Sequence, residues 1–273
     1  MPKVVQNGLG KMGTAALRRL LDSGIEVVGV ADPHPSIEDG YKLARSSKIP
    51  VKDDITQISI EPGTILVDFS SPDACLNAAR YVAKEGGKLV IGTTPLPKEY
   101  ETEILSLGNN SVVILSPIFS LEANRFFKQL EYVGKTSDKD AWVSIHERHR
   151  AEKLTTSGTA AKMARILCET MNKDGYILLR EGKAYNPIGN EMEMPKLKEL
   201  PPNTLKKYIQ VSCERFGDEP GLHVVRIGDE IDYSEYSVRA TRNSNAKGVE
   251  MAVCYASTKE KGVYDFSKDV LGL

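Results

Sequence analysis

The stretch that decides the fold is Lys3-Val4-Val5-Gln6-Asn7-Gly8-Leu9-Gly10-Lys11-Met12-Gly13, in which a short apolar strand runs into the pattern G-x-G-x-x-G. A helical run follows as far as Leu21, and the next apolar segment, residues 25–31, ends at Asp32. A strand, a glycine-rich turn, a helix and an acidic residue about 20 residues further on form the sequence context of a dinucleotide-binding unit. The stretch therefore predicts an α/β fold with a Rossmann-type parallel sheet. A glycine-rich turn that binds no nucleotide is the alternative interpretation.

Within this unit, we expect Gly8 and Gly10 to let the backbone approach a pyrophosphate, and Gly13 to permit close packing of helix on strand. Asp32 is expected to accept hydrogen bonds from the adenosine ribose hydroxyls and to repel a 2′-phosphate. The acid therefore favours NADH as the cofactor, with NADPH as the alternative.

Three further apolar segments end in small or polar residues, at Phe69-Ser70, at Gly92-Thr93-Thr94 and at Ser116, shortly before Phe119. Ligands of open parallel sheets bind at the carboxyl ends of the strands, so these ends are predicted to surround the nicotinamide and its ribose. For Ser70 and Ser116 taken singly, ordinary turn chemistry is the better explanation. The predicted cofactor-binding residues are Gly8, Gly10, Lys11, Met12, Gly13, Asp32, Phe69, Gly92, Thr93, Thr94, Ser116 and Phe119.

A second informative stretch covers residues 147–159, Glu-Arg-His-Arg-Ala-Glu-Lys-Leu-Thr-Thr-Ser-Gly-Thr. Alternation from residue 143 predicts a strand that places Glu147 and His149 on one face, joined by Lys153 if the chain stays extended. From Thr159 the apolar spacing becomes helical, and Ser157 lies where that helix would start and bind an anion. The stretch offers a proton donor, a cation and a carboxylate cradle. A strand–loop–helix junction with a surface histidine and lysine is the alternative.

Composition excludes several classes of protein. The 273-residue chain is 41% hydrophobic and 27% charged, which is ordinary for a soluble globular protein. A net charge of −1 without a basic block argues against nucleic acid as a partner. The longest apolar runs fall far short of the ~20 residues that a membrane span needs.

The reactive side chains form no obvious metal or disulfide pattern. Four scattered cysteines without a C-x-x-C predict reduced thiols. His146 and His149 have helical metal-ligand spacing but lie in a predicted strand, so no metal is expected. Because the chain enters a strand directly at residue 3, we expect a cytoplasmic protein, or one of an organelle stroma after removal of a transit peptide.

Taken together, these motifs resemble those of the dihydrodipicolinate reductase family. The family's G-x-x-G-x-M-G start is matched by residues 7–13 except at Asn7, and its D-F-[ST] and G-T-T motifs are matched by residues 68–70 and 92–94. Its [SA]-P-N-F-S segment is similar to residues 116–120. Its signature E-x-H-H-x-x-K-x-D-x-P-S-G-T is matched at Glu147, His149, Lys153 and residues 157–159, and its C-terminal tail resembles residues 262–273.

The resemblance implies a nucleotide-binding domain over residues 1–120 plus 249–273, with an inserted α+β domain for substrate binding and oligomerisation over residues 121–248. It implies a homotetramer and NAD(P)H-dependent reduction of 4-hydroxy-tetrahydrodipicolinate in lysine and diaminopimelate biosynthesis. His149 would donate a proton, and Lys153 would hold a substrate carboxylate and tune His149. The implied substrate-binding residues are Arg150, Ser157, Gly158 and Thr159.

Several residues depart from the family pattern. Arg150 replaces the second histidine, Thr155 replaces an aspartate, and Ile118 replaces an asparagine. One residue and the proline before Ser157 are missing, and the segment over residues 181–221 is longer than in most bacterial members. These departures motivate a second hypothesis, a related oxidoreductase acting on another imine or amino dicarboxylate. A third hypothesis is a nucleotide-binding module without catalysis.

Overall fold

The structure is a computed structural model that describes residues 2–34, 38–193, 199 and 201–273. It divides into two compact units, the first built from residues up to Leu121 together with Arg242–Leu273, and the second from Glu122–Thr241. None of the helices in the described residues combines the length and the apolar character that crossing a membrane requires. All four cysteines are free thiols, as the sequence predicts.

The strands, in chain order, are β1 (Lys3–Asn7), β2 (Glu26–Ala31), β3 (Val51–Lys52), β4 (Ile65–Asp68), β5 (Lys88–Ile91), β6 (Val112–Leu115), β7 (Trp142–His149), β8 (Gly175–Leu178), β9 (Lys183–Tyr185), β10 (Glu191–Met192), β11 (Tyr208–Arg215), β12 (Leu222–Gly228), β13 (Tyr233–Arg239) and β14 (Gly262–Tyr264). The α-helices are α1 (Lys11–Asp22), α2 (Glu38–Ser46), α3 (Pro72–Lys84), α4 (Lys98–Ser106), α5 (Leu121–Thr136), α6 (Gly158–Met171), α7 (Pro202–Leu205) and α8 (Arg242–Ser257).

The first unit contains a parallel sheet in the order β14-β6-β5-β4-β1-β2-β3. Val4 and Val5 enter different hydrophobic clusters, because successive strand residues point to opposite faces. One cluster includes Leu17 of α1 and Val253 of α8, and the other includes Leu76 of α3. Helices therefore cover both faces of a Rossmann-type sheet, and the predicted α/β architecture is confirmed.

The second unit contains a mixed sheet in the order β10-β9-β8-β11-β7-β12-β13. Strands β7, β11 and β8 run parallel, and β12 pairs antiparallel with both β7 and β13. Helix α6 buries an apolar stripe that includes Met163, Leu167 and Met171. Because β7 alternates between buried and more exposed residues, Val143, Ile145, Glu147 and His149 share its buried face, as the sequence predicts.

Two expectations about the chain's path need correction. The sequence predicts an irregular excursion over residues 172–221 with one or two short strands, whereas the structure has β8, β9, β10 and the eight-residue β11 there. The second half of β11 contains the polar residues Ser212, Glu214 and Arg215. They obscure the alternation of apolar and polar residues that would predict a strand. Residues 194–198 and 200 of this segment lie outside the described residues. The chain also returns to the first unit at Arg242 instead of residue 249, because α8 is one continuous helix to Ser257.

Candidate active site

The glycine-rich loop joins the end of β1 to the start of α1, and its glycines have different surroundings. Gly8 has a φ of +90°, and a Cβ there would lie 2.4 Å from the Phe69 carbonyl oxygen, so glycine is required. A Cβ at Gly13 would lie 2.1 Å from the Gly8 carbonyl oxygen, which agrees with the predicted close packing of helix on strand. Around Gly10, by contrast, no atom of the described residues lies within 4 Å of such a Cβ. The loop is thus tightly built except at Gly10, where a ligand could approach the backbone.

Asp32 follows β2 directly and is 6% exposed. Its Oδ2 accepts a hydrogen bond of 2.6 Å from the Leu9 N–H, and its Oδ1 accepts one of 2.8 Å from the His34 N–H. The carboxylate therefore touches the glycine-rich loop, which is where an acid that binds a ribose is needed.

A cavity of about 310 Å³ lies at the carboxyl ends of the parallel strands. Gly92 leaves space for the Phe69 ring, because a Cβ at position 92 would lie 2.1 Å from Cε1 of that ring. Ser116 lies outside the lining, and its Oγ donates to the Ile118 carbonyl at 2.9 Å, which is turn chemistry. Lys11, the first residue of α1, is exposed. The cavity is lined by Met12, Phe69, Ser70, Gly92, Thr93, Thr94, Pro117, Phe119 and Asn245.

A buried polar network lies beneath this cavity. The Asp68 carboxylate is fully buried and accepts hydrogen bonds from Thr93 Oγ1 at 2.5 Å, Asn7 Nδ2 at 2.7 Å and Ser70 Oγ at 2.9 Å. Burial raises the pKa of Asp68, and the hydrogen bonds oppose that rise. The network fixes Ser70 and Thr93, which line the cavity.

In the second unit, the site is built around Glu147 and His149 on the buried face of β7. The Glu147 carboxylate is 0% exposed. Its Oε2 contacts the His149 Nδ1, and its Oε1 accepts a hydrogen bond of 2.8 Å from Arg215 Nη2. Burial opposes the ionisation of Glu147, but hydrogen bonds from His149, Cys213 and Arg215 prevail and lower its pKa to about 2. An anionic carboxylate is thus held against the imidazole.

A second histidine, His223 on β12, connects this pair to the start of α6. Its Nε2 lies 3.1 Å from Ser157 Oγ, and its ring packs edge-on against His149 with centroids 5.2 Å apart. Ser157 is the N-cap of α6, and its Oγ accepts the Thr159 N–H at 3.1 Å. The Ser157 N–H donates to Glu147 Oε1 at 3.3 Å. The helix start that the sequence identifies as an anion cradle is therefore joined to the Glu147–His149 pair.

Lys153 reaches this site by a route that differs from the predicted one. The sequence allows an extended chain from His149 to Lys153, but β7 ends at His149, and the Lys153 N–H donates to the Arg150 carbonyl across a turn. Lys153 is half-buried, and burial lowers its pKa, opposed by the nearby Glu147 carboxylate. Arg150 lies in the same turn, with its Nε 3.3 Å from Glu152. Two cations thus flank the acid–imidazole pair.

The loop between Lys153 and Ser157 is held from two sides. Arg215 Nε donates to the Lys153 carbonyl at 2.7 Å, and Nη2 donates to the Thr155 carbonyl at 2.8 Å. Glu181, in the turn after β8, accepts from Thr156 Oγ1 at 2.6 Å. The loop that carries the predicted substrate contacts is therefore anchored by side chains far away in sequence.

Glu147, His149 and His223 also offer ligand atoms within 4.8 Å of one another, a spacing open to a metal ion. The Glu147 carboxylate already accepts from Arg215 and Ser157, and the positive charge of Arg215 opposes a bound cation. We therefore interpret the cluster as a hydrogen-bonded acid–imidazole site, and the absence of a metal stays a prediction.

Comparison with known proteins places these features in a family. The sequence model described as "Dihydrodipicolinate reductase, N-terminus" matches residues 2–119, and the one described as "Dihydrodipicolinate reductase, C-terminus" matches residues 123–271. The chain belongs to the dihydrodipicolinate reductase family.

Individual relatives agree with this assignment to the dihydrodipicolinate reductase family. The chain is 33% identical over 280 residues to the 4-hydroxy-tetrahydrodipicolinate reductase of Aquifex aeolicus (strain VF5), covering 99% of this chain and 98% of the relative. The enzyme of that name from Methanococcus vannielii is 28% identical over 287 residues, with full coverage of both. The dipicolinate-bound dihydrodipicolinate reductase from Paenisporosarcina sp. TG-14 has a TM-score of 0.66 at 22% identity and 97% coverage of each chain, and so shares the fold.

One departure from the dihydrodipicolinate reductase pattern has a structural role. Asn7, in place of the first glycine, donates to Asp68 and lies 3.1 Å from Ser70 Oγ, so it belongs to the network beneath the cavity. Thr155, in place of an aspartate, supplies a backbone carbonyl to Arg215, a contact that does not depend on its side chain.

Sequence reasoning missed three residues that the structure brings to these sites. Asn245 of α8 lines the cavity and accepts the Phe119 N–H at 2.9 Å. Arg215 and His223 reach Glu147 and Ser157 through strand pairing. His223 and Arg215 lie in strands whose residues alternate between the two faces of the sheet. Their positions in the sequence do not indicate which side chains of the adjacent strands they contact.

The buried His223 predicts a dependence of stability on pH. Burial, then the nearby His149, lower the pKa of His223 to about 4, whereas in the unfolded chain it is about 6.5. Between these values the unfolded chain binds a proton that the folded chain refuses, so the stability falls as the pH is lowered. We expect the loss between pH 7 and pH 4.5 to include about 2–3 kcal/mol from this group.

Urea unfolding at both pH values measures this contribution. In His223→Gln the free energy of unfolding should fall less over the same interval, whatever its value at pH 7. Equal losses in the variant and the wild type would contradict the prediction. His34→Gln, at an exposed position, serves as the control and should retain the wild-type loss.

Proposed function

We propose that this protein catalyses the NAD(P)H-dependent reduction of 4-hydroxy-tetrahydrodipicolinate to tetrahydrodipicolinate, a step of lysine and diaminopimelate biosynthesis. The observation that carries the proposal is the buried His149, held against Glu147 beside the capped start of α6. Membership of the dihydrodipicolinate reductase family and relatives named for this reaction support it.

The residues of the first unit fit a nicotinamide cofactor. The open backbone at Gly10 suits a pyrophosphate, Asp32 suits a ribose, and the cavity beside Phe69 and Thr93 suits a flat, polar ring. When bound, the reduced nicotinamide supplies a hydride. We propose NADH as the preferred form because Asp32 would repel a 2′-phosphate.

The residues of the second unit fit a small dicarboxylate. His149 donates a proton to the carbanion or enamine that develops when the substrate ring is reduced, since histidine is the side chain that most readily exchanges a proton near neutral pH. Lys153 and Arg150 attract the carboxylates, and the Gly158 N–H with the Thr159 hydroxyl binds one of them. We assign these two donors because the Ser157 N–H and Oγ already have partners.

The test is a turnover assay with 4-hydroxy-tetrahydrodipicolinate and either NADH or NADPH. We expect loss of the nicotinamide absorbance at ordinary enzyme rates. Turnover only with another imine or amino dicarboxylate would favour a related oxidoreductase, and binding of cofactor without any turnover would favour a non-catalytic module.

The preference for NADH can be tested at Asp32. We expect Asp32→Ala to weaken NADH more than NADPH, shifting the ratio of their dissociation constants about tenfold, because hydrogen bonds to a charged acceptor are lost only with the unphosphorylated ribose. Nicotinamide fluorescence measures both constants. Asp32→Asn keeps the shape and removes the charge, so it should raise NADPH affinity. A larger loss of NADPH binding in Asp32→Ala would place the ribose elsewhere.

We propose further that the protein is a homotetramer, as the family resemblance implies. The exposed Tyr233 on the edge strand β13 and the nearby Ile231, which is 93% exposed, are consistent with a covered surface in an assembly. Sedimentation equilibrium should give four times the mass of the chain, and a monomer at micromolar concentration would contradict it.

A further inference from the structure

The buried carboxylate of Glu147, next to the proposed proton donor His149, makes more polar contacts than packing alone requires. Its Oε1 accepts from Arg215 Nη2 at 2.8 Å and from the Ser157 N–H at 3.3 Å, while Oε2 contacts His149 Nδ1. A buried carboxylate without a partner would be costly and would take up a proton. Here the partners keep it anionic, and one of its oxygens is directed at the imidazole.

Strand pairing explains how these side chains meet. Glu147 and His149 are two residues apart on β7 and so share a face. In the parallel pairing with β11, Cys213 lies opposite Glu147 and Arg215 lies opposite His149. The Arg215 side chain is only 9% exposed, and its guanidinium spans from Glu147 to the carbonyls of Lys153 and Thr155. Because a guanidinium is planar and presents several fixed donors, Arg215 holds the Glu147 carboxylate and the loop between Lys153 and Ser157 in one arrangement.

The other ring nitrogen of His149 faces a different environment. A Cβ at Gly221 would lie 3.0 Å from His149 Nε2, so the glycine leaves room beside this nitrogen. Gly221 also has a φ of +149°, which disfavours larger residues. His149 is thus held at Nδ1 and left sterically accessible at Nε2, the nitrogen that would face a reacting group.

We propose that Glu147, held by Arg215, is the positioning residue for His149: it fixes the proton on Nδ1, stabilises the imidazolium, and directs Nε2 as the donor. This inference rests on the proposed function, in which His149 protonates the reduced substrate. Protonated His149 gives its Nε2 proton to the developing carbanion, whose electron pair forms the new bond to hydrogen, and the neutral imidazole keeps its Nδ1 proton against Glu147. A carboxylate in this role orients an imidazole without becoming protonated itself.

Titratable and charged groups face His149 from several elements. They are Glu147 on β7, Cys213 and Arg215 on β11, His223 on β12, and Arg150 and Lys153 in the loop after β7. The cations among these groups disfavour a charged imidazole, and the buried His223 stays neutral near pH 7 because burial lowers its pKa. Glu147 is the anion among them that contacts His149, so its removal should have a large effect on the imidazolium.

The test compares Glu147→Gln with Glu147→Asp. Since the donor is a protonated imidazole, kcat should fall at high pH, which gives the pH profile of kcat a basic limb. In Glu147→Gln, kcat at pH 8 should fall about 10- to 100-fold, and this basic limb should move down by about one pH unit or more, with a smaller deficit at pH 6. Glu147→Asp should restore part of the rate and of the limb. The dissociation constant of NADH should stay unchanged in both variants.

The matched control is Glu214→Gln. Glu214 also pairs with a histidine, since its Oε2 lies 3.5 Å from His146 Nε2, but both side chains lie about 40% exposed on the other face of the sheet. We expect wild-type kcat and an unchanged basic limb in this variant. An unchanged limb in folded Glu147→Gln, or an equal change in Glu214→Gln, would overturn the proposal.

A measurement on the wild-type protein tests the proposal even if Glu147→Gln does not fold. It also distinguishes a failure of the positioning role from a failure of the proposed function. Nitrogen-15 spectra of labelled histidine, assigned with His149→Gln, should show neutral His149 with its proton on Nδ1. A proton on Nε2 would overturn the positioning role even in an active enzyme. The Nδ1 form in a protein without turnover would uphold the positioning and contradict the proposed function.

Discussion

Replacing His149 with glutamine is expected to lower kcat about 10²- to 10⁴-fold, the usual contribution of a positioned general acid. Glutamine keeps a polar side chain of similar length but offers no titratable proton. His149 is 8% exposed and has its Nδ1 against Glu147, so water is a poor substitute for its Nε2 proton. The dissociation constant of NADH should remain at the wild-type value, because the predicted cofactor residues belong to the other unit.

The control for this variant is His146→Gln on the same strand. His146 lies three residues before His149 and therefore on the opposite face of β7, where its Nδ1 lies 2.9 Å from Ser212 Oγ. It should retain wild-type kcat. If His149→Gln retained kcat within about threefold, the proton would come from another group, and Lys153, which burial makes easier to deprotonate, would be the next to replace.

Local sequence patterns were sufficient for the nucleotide-binding unit. The strand, glycine-rich turn, helix and acid follow one another directly within residues 3–32. Their spacing along the chain is therefore enough to predict how they are arranged in three dimensions. The same holds for Glu147 and His149, which the two-residue period of one strand places on one face. The confirmed architecture follows from such short-range periodicity.

The remainder of the site depends on pairing between distant strands. Arg215 meets Glu147 because β11 runs parallel to β7 in one particular register, and His223 lies opposite Glu147 in the antiparallel pairing of β12. A shift of one residue would turn either side chain to the other face. Nothing in the local sequence specifies these registers. The turn between His149 and Lys153 was not predicted for a related reason. The residues between these two include no proline or glycine that would indicate a turn.

The glycine-rich loop permits a prediction that separates folding from cofactor binding, using Gly13→Ala and Gly10→Ala. A Cβ at Gly13 would lie 2.1 Å from the backbone oxygen of Gly8, which cannot rotate away. We expect this variant to lose about 2–3 kcal/mol and to melt roughly 5–10 °C below the wild type without cofactor. Gly10 has a φ of −57°, which alanine adopts without strain, and it has open space around it. We therefore expect Gly10→Ala to melt at or slightly above the wild-type temperature.

For cofactor binding we expect Gly10→Ala to be the more damaging of the two variants, because the open space at Gly10 is where a pyrophosphate would approach the backbone. We expect Gly10→Ala to bind NADH at least about tenfold more weakly, a loss of 1.4 kcal/mol or more, and to gain less thermal stability from added NADH than the wild type gains. Calorimetric melting with and without NADH measures both effects on one sample. A Gly10→Ala variant that binds NADH as the wild type does would mean that the pyrophosphate does not lie on this loop, and would favour a glycine-rich turn that serves packing alone.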